Sequence, residues 1–92
     1  MLDKCGLTPD KISQWEVNEP FGLNPLAFMK FFDIGPKNIN IKGGAVAFGH
    51  PLATNGGRIL NSLIRSLKPG ELGVAAICNG CGEGCSMLIR GM

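Results

Sequence analysis

Residues 72–78 read LGVAAIC, an apolar run without a polar interruption that ends in a cysteine. A short run of this kind predicts a β-strand that is covered on both faces. It follows Pro69-Gly70, a pair that ends a helix. The glycine-rich residues 79–84 then predict a turn, and residues 85–90 predict a returning strand. This part of the chain therefore predicts a hairpin at the edge of a covered sheet.

Residues 51–67 carry the periodicity of an amphipathic helix. Pro51 suits its first turn, because proline has no N–H to leave unpaired there. The apolar positions recur at helical spacing and form one stripe. This stripe consists of Ile59, Leu60, Leu63, Ile64 and Leu67. We expect one apolar face on this helix and one polar face.

Two strands and one helix are predicted upstream. Residues 12–17 form a short strand, and residues 39–48 form a strand that gives way to a tight backbone path through glycines. Residues 21–33 form a helix that is apolar nearly all round, which predicts that it is buried rather than surface-lying. The order of elements is therefore strand, helix, strand, helix, strand and hairpin strand. The predicted fold class is α/β, with a mixed sheet and covering helices.

The composition restricts the kinds of partner. Hydrophobic residues make up 45% of the 92 residues and charged residues only 17%, which suits a piece of a larger core or a subunit. The net charge is +2, and no basic cluster or aromatic ladder indicates nucleic acid. No apolar run approaches the roughly 20 residues of a membrane-spanning helix.

The four cysteines are interpreted as reduced thiols of an intracellular protein, because three of them crowd into residues 78–85. Nothing in the chain distinguishes cytoplasm, mitochondrion and peroxisome. Cys78, Cys81 and Cys85, together with His50, could alternatively be metal ligands. The absence of a second Cys-x-x-Cys pair disfavours that alternative, and we assign no metal or cofactor site.

His50 is the only histidine and follows the glycine-rich stretch GGAVAFG at residues 43–49. It is predicted to lie at a strand-to-helix corner, where the helix dipole disfavours an imidazolium. A neutral imidazole can act as a general base. The alternative is a capping or partly buried histidine without a chemical role.

Two further positions, each at the end of a predicted strand, carry candidate residues. Cys78 is either a small hydrophobe or a reactive thiol, and Asn79-Gly80 after it could supply N–H groups to an oxyanion. Asn18 and Glu19 end the first predicted strand, where they either cap the next helix or contribute to a site. Open α/β sheets place their sites at the carboxyl ends of strands.

Together the three segments that contain these residues resemble three motifs of the thiolases, the acetyl-CoA acyltransferases. Residues 15–21, WEVNEPF, are similar to the Asn-Glu-Ala-Phe motif of that family. Residues 43–51 are similar to its Gly-Gly-x-x-x-x-Gly-His-Pro motif, and residues 78–80 to its Cys-x-Gly motif. Residues 53–55, Ala-Thr-Asn, depart from a Gly-x-Ser type of stretch. The likeness covers residues 2–90.

The resemblance implies a role for each candidate residue. His50 would activate the nucleophilic cysteine and help to form one oxyanion hole, and Asn18 would hold the water that completes this hole. Cys78 would be the acid or base at the α-carbon of the substrate, and the N–H of Gly80 would contribute to a second oxyanion hole. The implied reaction is a Claisen condensation of acyl-CoA, or thiolysis of 3-ketoacyl-CoA, through an acyl-cysteine. No cofactor is implied beyond the coenzyme A thioester.

The resemblance also implies a fragment. A family member is several times longer, and its nucleophilic cysteine lies in an N-terminal half that is absent here. Residues 1–92 correspond to part of the C-terminal half and lack the central first strand of its five-stranded mixed sheet. Either the strands on both sides of this gap pair directly, or a partner fills it.

We therefore expect residues 1–92 to be inactive alone. The expected partners are acetyl-CoA or another acyl-CoA, and either the missing half or a second copy in an oligomer. The alternative is a non-catalytic module of thiolase type that binds acyl-CoA or a subunit.

Overall fold

The computed structural model describes residues 1–78 and 83–92 of the chain. Within these residues the strands are β1 (Gln14–Val17), β2 (Leu72–Cys78) and β3 (Gly84–Arg90). The α-helices are α1 (Leu23–Phe32), α2 (Ala45–Phe48) and α3 (Asn55–Ser66). Short 3-10 turns lie at Asp3–Cys5, Pro9–Lys11, Pro36–Asn38 and Leu52–Thr54. None of the helices in the described part of the chain is long and apolar enough to span a membrane.

The three strands form one mixed sheet in the order β1-β2-β3. β1 is parallel to β2, with Trp15 opposite Val74, and β3 returns antiparallel, with Gly84 opposite Cys78. The predicted mixed sheet and the predicted hairpin partner are thus confirmed. β1 pairs directly with β2 along its whole length, so the described residues show no gap between these strands where a central strand is missing.

Each face of the sheet carries one long helix. Trp15, Val17 and Val74 point to the side of α1 and form a core with Leu2, Ile12 and Ile39. Ala75 points to the opposite side and packs against Ile59 and Leu63 of α3. Because side chains alternate along a strand, neighbouring residues of β2 serve different cores.

The helix predicted over residues 21–33 is present as α1, but the prediction that it is buried is wrong. None of its residues is buried, and Leu23, Leu26 and Phe31 are exposed. Phe28 and Phe32 do pack against Trp15, with ring centroids 5.5 and 5.3 Å away. The outer side of α1 is exposed because a helix can pack only one side against a sheet, and nothing in the described residues covers the other side.

The prediction of a strand over residues 39–48 is also wrong. Only Ile39 pairs with β1, through an isolated bridge to Trp15. The backbone then leaves the sheet at Asn40 and Gly43, both of which have positive φ angles (48° and 81°), and residues 45–48 form the helical turn α2. A run of apolar residues is compatible with a strand and with a helical turn. The left-handed backbone at Asn40 and Gly43 ends the extended path, and a helical turn follows.

The helix predicted over residues 51–67 begins later than expected. A 3-10 turn occupies Leu52–Thr54, and α3 runs from Asn55 to Ser66. Ile59 and Leu63 of the predicted stripe are buried, whereas Ile64 is exposed. The apolar stripe is therefore confirmed in its centre and narrower than expected.

Candidate active site

Asn18 and Cys78 meet at the carboxyl edge of the sheet. Asn18 follows β1, Cys78 ends β2, and parallel pairing places both residues at the same edge. The backbone N–H of Asn18 donates to the carbonyl of Ala76 at 2.8 Å, and its Nδ2 donates to Sγ of Cys78 at 3.3 Å. An amide N–H that points at a sulfur orients the side chain and can stabilise charge that develops on it.

The two members of this pair differ in accessibility. Asn18 is only 3% exposed, and its Oδ1 is buried without a partner among the described residues. Cys78 is an exposed free thiol. A buried amide that holds an exposed thiol suits a reactive group better than a core cysteine, because the thiol can reach a ligand.

The alternative that Asn18 or Glu19 caps a helix is not supported. The cap of α1 is Gly22, and no side chain accepts a hydrogen bond there. Asn18 bonds to Cys78 instead, and Glu19 bonds to residues that precede His50 in the chain. The polar pair at the end of β1 therefore serves the sheet edge rather than α1.

His50 lies in the irregular segment between α2 and α3. Gly49 before it has a φ of 90°, and Pro51 follows. The expected position at a helix start is not met, since α3 begins five residues later, at Asn55. Nδ1 of His50 lies 2.7 Å from Nδ2 of Asn55. A side-chain amide, rather than the free backbone N–H groups of a helix, thus contacts the imidazole.

Asn55 was not among the residues singled out for chemistry. It is 2% exposed, and its Oδ1 has no partner among the described residues. Its only signal in the sequence is the departure of residues 53–55 from the Gly-x-Ser type of stretch. That signal comes from a resemblance and not from a chemical pattern. The contact with His50 is therefore what draws attention to this residue.

Glu19 connects the end of β1 to the segment that leads to His50. Its carboxylate accepts hydrogen bonds from Nδ2 of Asn40 at 2.9 Å and from the backbone N–H of Val46 at 3.4 Å. Asn40 in turn pairs with the backbone of Val17, at 2.8 Å for the N–H and 2.9 Å for the carbonyl. This network holds α2 against β1 and so sets where the chain enters Gly49 and His50.

Gly44 is required by the same network. A Cβ at this position would lie 2.4 Å from Oε1 of Glu19, closer than real Cβ contacts. The carboxylate of Glu19 is largely buried and held by two donors, so it cannot move aside freely. The second glycine of the Gly-Gly pair is therefore explained by a side chain 25 residues earlier in the sequence.

A second buried carboxyl, that of Glu16, lies away from this edge in the middle of β1. Burial raises the pKa of Glu16, while a hydrogen bond from Oγ of Ser62 and the positive charge of Arg58 oppose the rise. The Ser62 donor lies 3.3 Å from Oε1. Glu16 faces α3 and not the thiol of Cys78, so we assign it to the interior of the sheet rather than to the site.

The structure brings together only part of the predicted site. Asn18 and Cys78 are in contact, but no hydrogen bond within residues 1–78 and 83–92 joins His50 to either of them. Gly80, the predicted oxyanion donor, lies outside the described residues, as do Asn79 and Cys81. Its predicted role stays a prediction.

The cysteine-rich metal site that the sequence offered as an alternative is not seen in the described residues. Among the residues that the structure describes, no group of three or more histidine, cysteine, aspartate or glutamate side chains could hold a metal ion. Cys85 lies in β3 opposite Ile77 and is an exposed free thiol, as is Cys5 near the N-terminus. Of the proposed ligands, Cys81 lies outside the described part.

Comparisons with known proteins identify a family that the chain matches over nearly its whole length. The family model described as thiolase, C-terminal domain, matches residues 1–91. The chain is 48% identical over 90 residues to the mitochondrial acetyl-CoA acetyltransferase of Homo sapiens, a match that covers 98% of this chain and 21% of that protein. It is 48% identical over 89 residues to the acetyl-CoA acetyltransferase of Yarrowia lipolytica, covering 97% and 22% respectively.

Solved thiolase structures contain the same fold. The Acat5 thiolase of Ascaris suum, solved in complex with coenzyme A, matches with a TM-score of 0.96 and 49% identity over 99% of this chain and 24% of that one. The peroxisomal 3-ketoacyl-CoA thiolase of Saccharomyces cerevisiae matches with a TM-score of 0.93 and 33% identity, over 99% and 26%. The chain thus spans 21–26% of the length of these proteins.

Proposed function

Because this chain belongs to the thiolase family and matches its C-terminal domain, we propose that it is the C-terminal catalytic part of an acetyl-CoA C-acyltransferase. Together with the rest of such an enzyme it would condense two acyl-CoA molecules or cleave 3-ketoacyl-CoA with coenzyme A. Its substrates would be coenzyme A thioesters, and its place would be in lipid and fatty acid metabolism.

The contact between Asn18 and Cys78 carries the proposal. An exposed thiol at the carboxyl edge of a parallel strand pair, with a buried amide donating to its sulfur, has the position that an acid or base needs. The α-proton of a thioester is only weakly acidic. Removing it therefore requires a base at a defined place and donors that stabilise the enolate oxygen.

In the proposed condensation, Cys78 as thiolate takes a proton from the α-carbon of acetyl-CoA. The resulting carbanion attacks the carbonyl of an acyl group on a second cysteine, and the C–S bond to that cysteine breaks. His50 would donate a hydrogen bond to one developing oxyanion, and the backbone N–H of Gly80 to another. In thiolysis the steps run backward, and Cys78 returns the proton.

The acyl-carrying cysteine would come from the rest of the enzyme. The proposal that residues 1–92 are inactive alone rests on the small share of each relative that the chain covers and on the absence of a matching context for a nucleophilic cysteine. An intracellular location is also proposed, in keeping with the free thiols of Cys5, Cys78 and Cys85.

A second candidate function is a non-catalytic module that binds a subunit. The exposed apolar side chains of α1, which include Leu23, Leu26 and Phe31, favour contact with another protein surface. This surface is compatible with both functions, since an enzyme fragment would use it to join the rest of the enzyme.

The test is a chimera in which this chain replaces the matching 90 residues of the human mitochondrial acetyl-CoA acetyltransferase. Thiolysis of a 3-ketoacyl-CoA by the purified chimera is the expected result. A folded chimera that binds coenzyme A and shows no turnover would contradict the catalytic proposal and favour the non-catalytic module.

Within an active chimera, Cys78→Ser is expected to lower kcat by about 10²- to 10⁴-fold, the range for loss of a general acid or base. Cys85→Ser is the matched control, because Cys85 is also an exposed free thiol but lies in β3 opposite Ile77. Equal activity losses in the two variants would argue against Cys78 as the base.

A further inference from the structure

The contact between Asn55 and His50 has consequences for the proton on the imidazole. Nδ2 of Asn55 is 2.7 Å from Nδ1 of His50, a short and therefore strong hydrogen-bond distance. The amide nitrogen of asparagine is only a donor. Nδ1 must then be the acceptor, and in the neutral ring the proton is left on Nε2.

The reverse orientation of the amide would invert this assignment. If Oδ1 faced the ring, Nδ1 would carry the proton, and the amide nitrogen would take the place that Oδ1 now has. In the structure Oδ1 is buried at that place and accepts no hydrogen bond from the described residues. A buried carbonyl with unused acceptor capacity is more common than a buried N–H without an acceptor. The two orientations of the amide predict opposite tautomers, and the tautomer measurement below distinguishes them.

We propose that Asn55 is a positioning residue that holds His50 in the tautomer with its proton on Nε2. In this tautomer the free edge of the imidazole is a hydrogen-bond donor. It cannot accept a proton at Nε2 unless the ring changes tautomer and loses the bond to Asn55.

The catalytic meaning of this tautomer rests on the proposed function. In the resting enzyme His50 would be an oxyanion donor, and activation of a cysteine by Nε2 would first require the Asn55 bond to break. The Gly-x-Ser type of stretch would place a hydroxyl at this position, and a hydroxyl both donates and accepts. The asparagine of this chain therefore specifies a tautomer that serine leaves open.

The chain offers a direct readout, because His50 is its only histidine. Two-bond ¹⁵N–¹H correlation spectra of the ¹⁵N-labelled chain report which ring nitrogen carries the proton. They are recorded at a pH high enough that the ring signals no longer move with pH, so that the ring is neutral. The variants are Asn55→Ala, Asn55→Asp and, as the matched control, Asn61→Ala, which removes an exposed amide from the same helix.

The expected result is a predominant Nε2–H form in the wild-type chain and in Asn61→Ala. In Asn55→Ala the ratio of the two tautomers should shift by about fivefold toward Nδ1–H, as for the loss of one ordinary hydrogen bond. In Asn55→Asp a carboxylate can only accept, so the Nδ1–H form should predominate. Aspartate is also favourable in the first turn of a helix, so we expect this variant to retain the fold.

A predominant Nδ1–H form in the wild-type chain would overturn the proposal. So would equal tautomer ratios in Asn55→Ala and Asn61→Ala. Neither result depends on enzymatic activity, whereas the proposed function is tested by turnover of the chimera. In an active chimera, Asn55→Asp should lower kcat with little change in KM, since the ring keeps its place and loses its donor.

Discussion

The two sides of the sheet differ in how completely this chain covers them. On the side of α3, Ile59 and Leu63 are 1% and 0% exposed. On the side of α1, Leu26 and Phe31 remain 59% and 83% exposed, and a cavity of about 460 Å³ lies between the helix and the sheet. Trp15, Phe28, Val74 and Ala76 are among its lining residues.

The difference shows which contacts belong to the chain itself. α3 has one apolar stripe, and the residues at its centre, Ile59 and Leu63, pack against the sheet. α1 has apolar residues on more than one side, so a single sheet leaves part of them without a partner. Both faces of the sheet thus carry a core, and we interpret the exposed outer side of α1 as a surface that the rest of a thiolase would cover.

The largest effect is expected from removing a side chain on the closed side. Leu63→Ala should lower the free energy of unfolding by about 2–5 kcal/mol, because it leaves a cavity in a packed core. Leu26→Ala, on the exposed side of α1, should change it by about 0.5 kcal/mol or less. Urea unfolding followed by the fluorescence of Trp15 measures both. Similar losses in the two variants would contradict the comparison.

A smaller effect is expected from adding volume to neighbouring residues of β2. Ala75 is buried against Ile59 and Leu63 and borders only a cavity of about 190 Å³, whereas Ala76 is half-buried and lines the larger cavity of about 460 Å³ on the other side. Ala75→Val should destabilise the chain by about 1–3 kcal/mol through overpacking.

Ala76→Val is the matched control, with the same change one residue further along the strand. It should be neutral or stabilising, since the added methyl groups enter open space. The same urea unfolding experiment applies. If Ala76→Val costs as much as Ala75→Val, the α1 side is as tightly packed as the α3 side.

The smallest effect concerns Glu16, which faces α3 beside Ser62. Because burial raises its pKa above the ordinary value of 4.5, the folded chain holds this proton more tightly than the unfolded chain. Its contribution to stability is thus fully present below pH 4.5 and is lost as the pH rises through the folded-state pKa.

Glu16→Gln should therefore stabilise the chain relative to wild type at pH 7, and this gain should disappear below about pH 4. Ser62→Ala sharpens the test: it removes a hydrogen bond that lowers the pKa of Glu16, so the pH dependence should grow. Unfolding curves at several pH values measure both. A gain from Glu16→Gln that is equal at pH 4 and pH 7 would refute the titration of this carboxyl.

Sequence reasoning was accurate where local pattern and resemblance coincide. The run LGVAAIC became β2, the returning strand became β3, and the amphipathic stripe became the centre of α3. Asn18 and Cys78 were selected by their motifs and meet at the sheet edge. Asn55 and Asn40 were not selected for a role in the site, since no local pattern marks them.

The type of each main element could be read from the amino-acid sequence, because helix and strand propensities depend on residues a few positions apart. Three short motifs likewise indicated the family. The contacts between distant residues, such as Asn18 with Cys78, 60 positions later, and Asn40 with Val17, 23 positions earlier, became visible only in the folded chain. These bonds need two backbones to be packed side by side, and they decide which polar side chains surround the thiol and the imidazole.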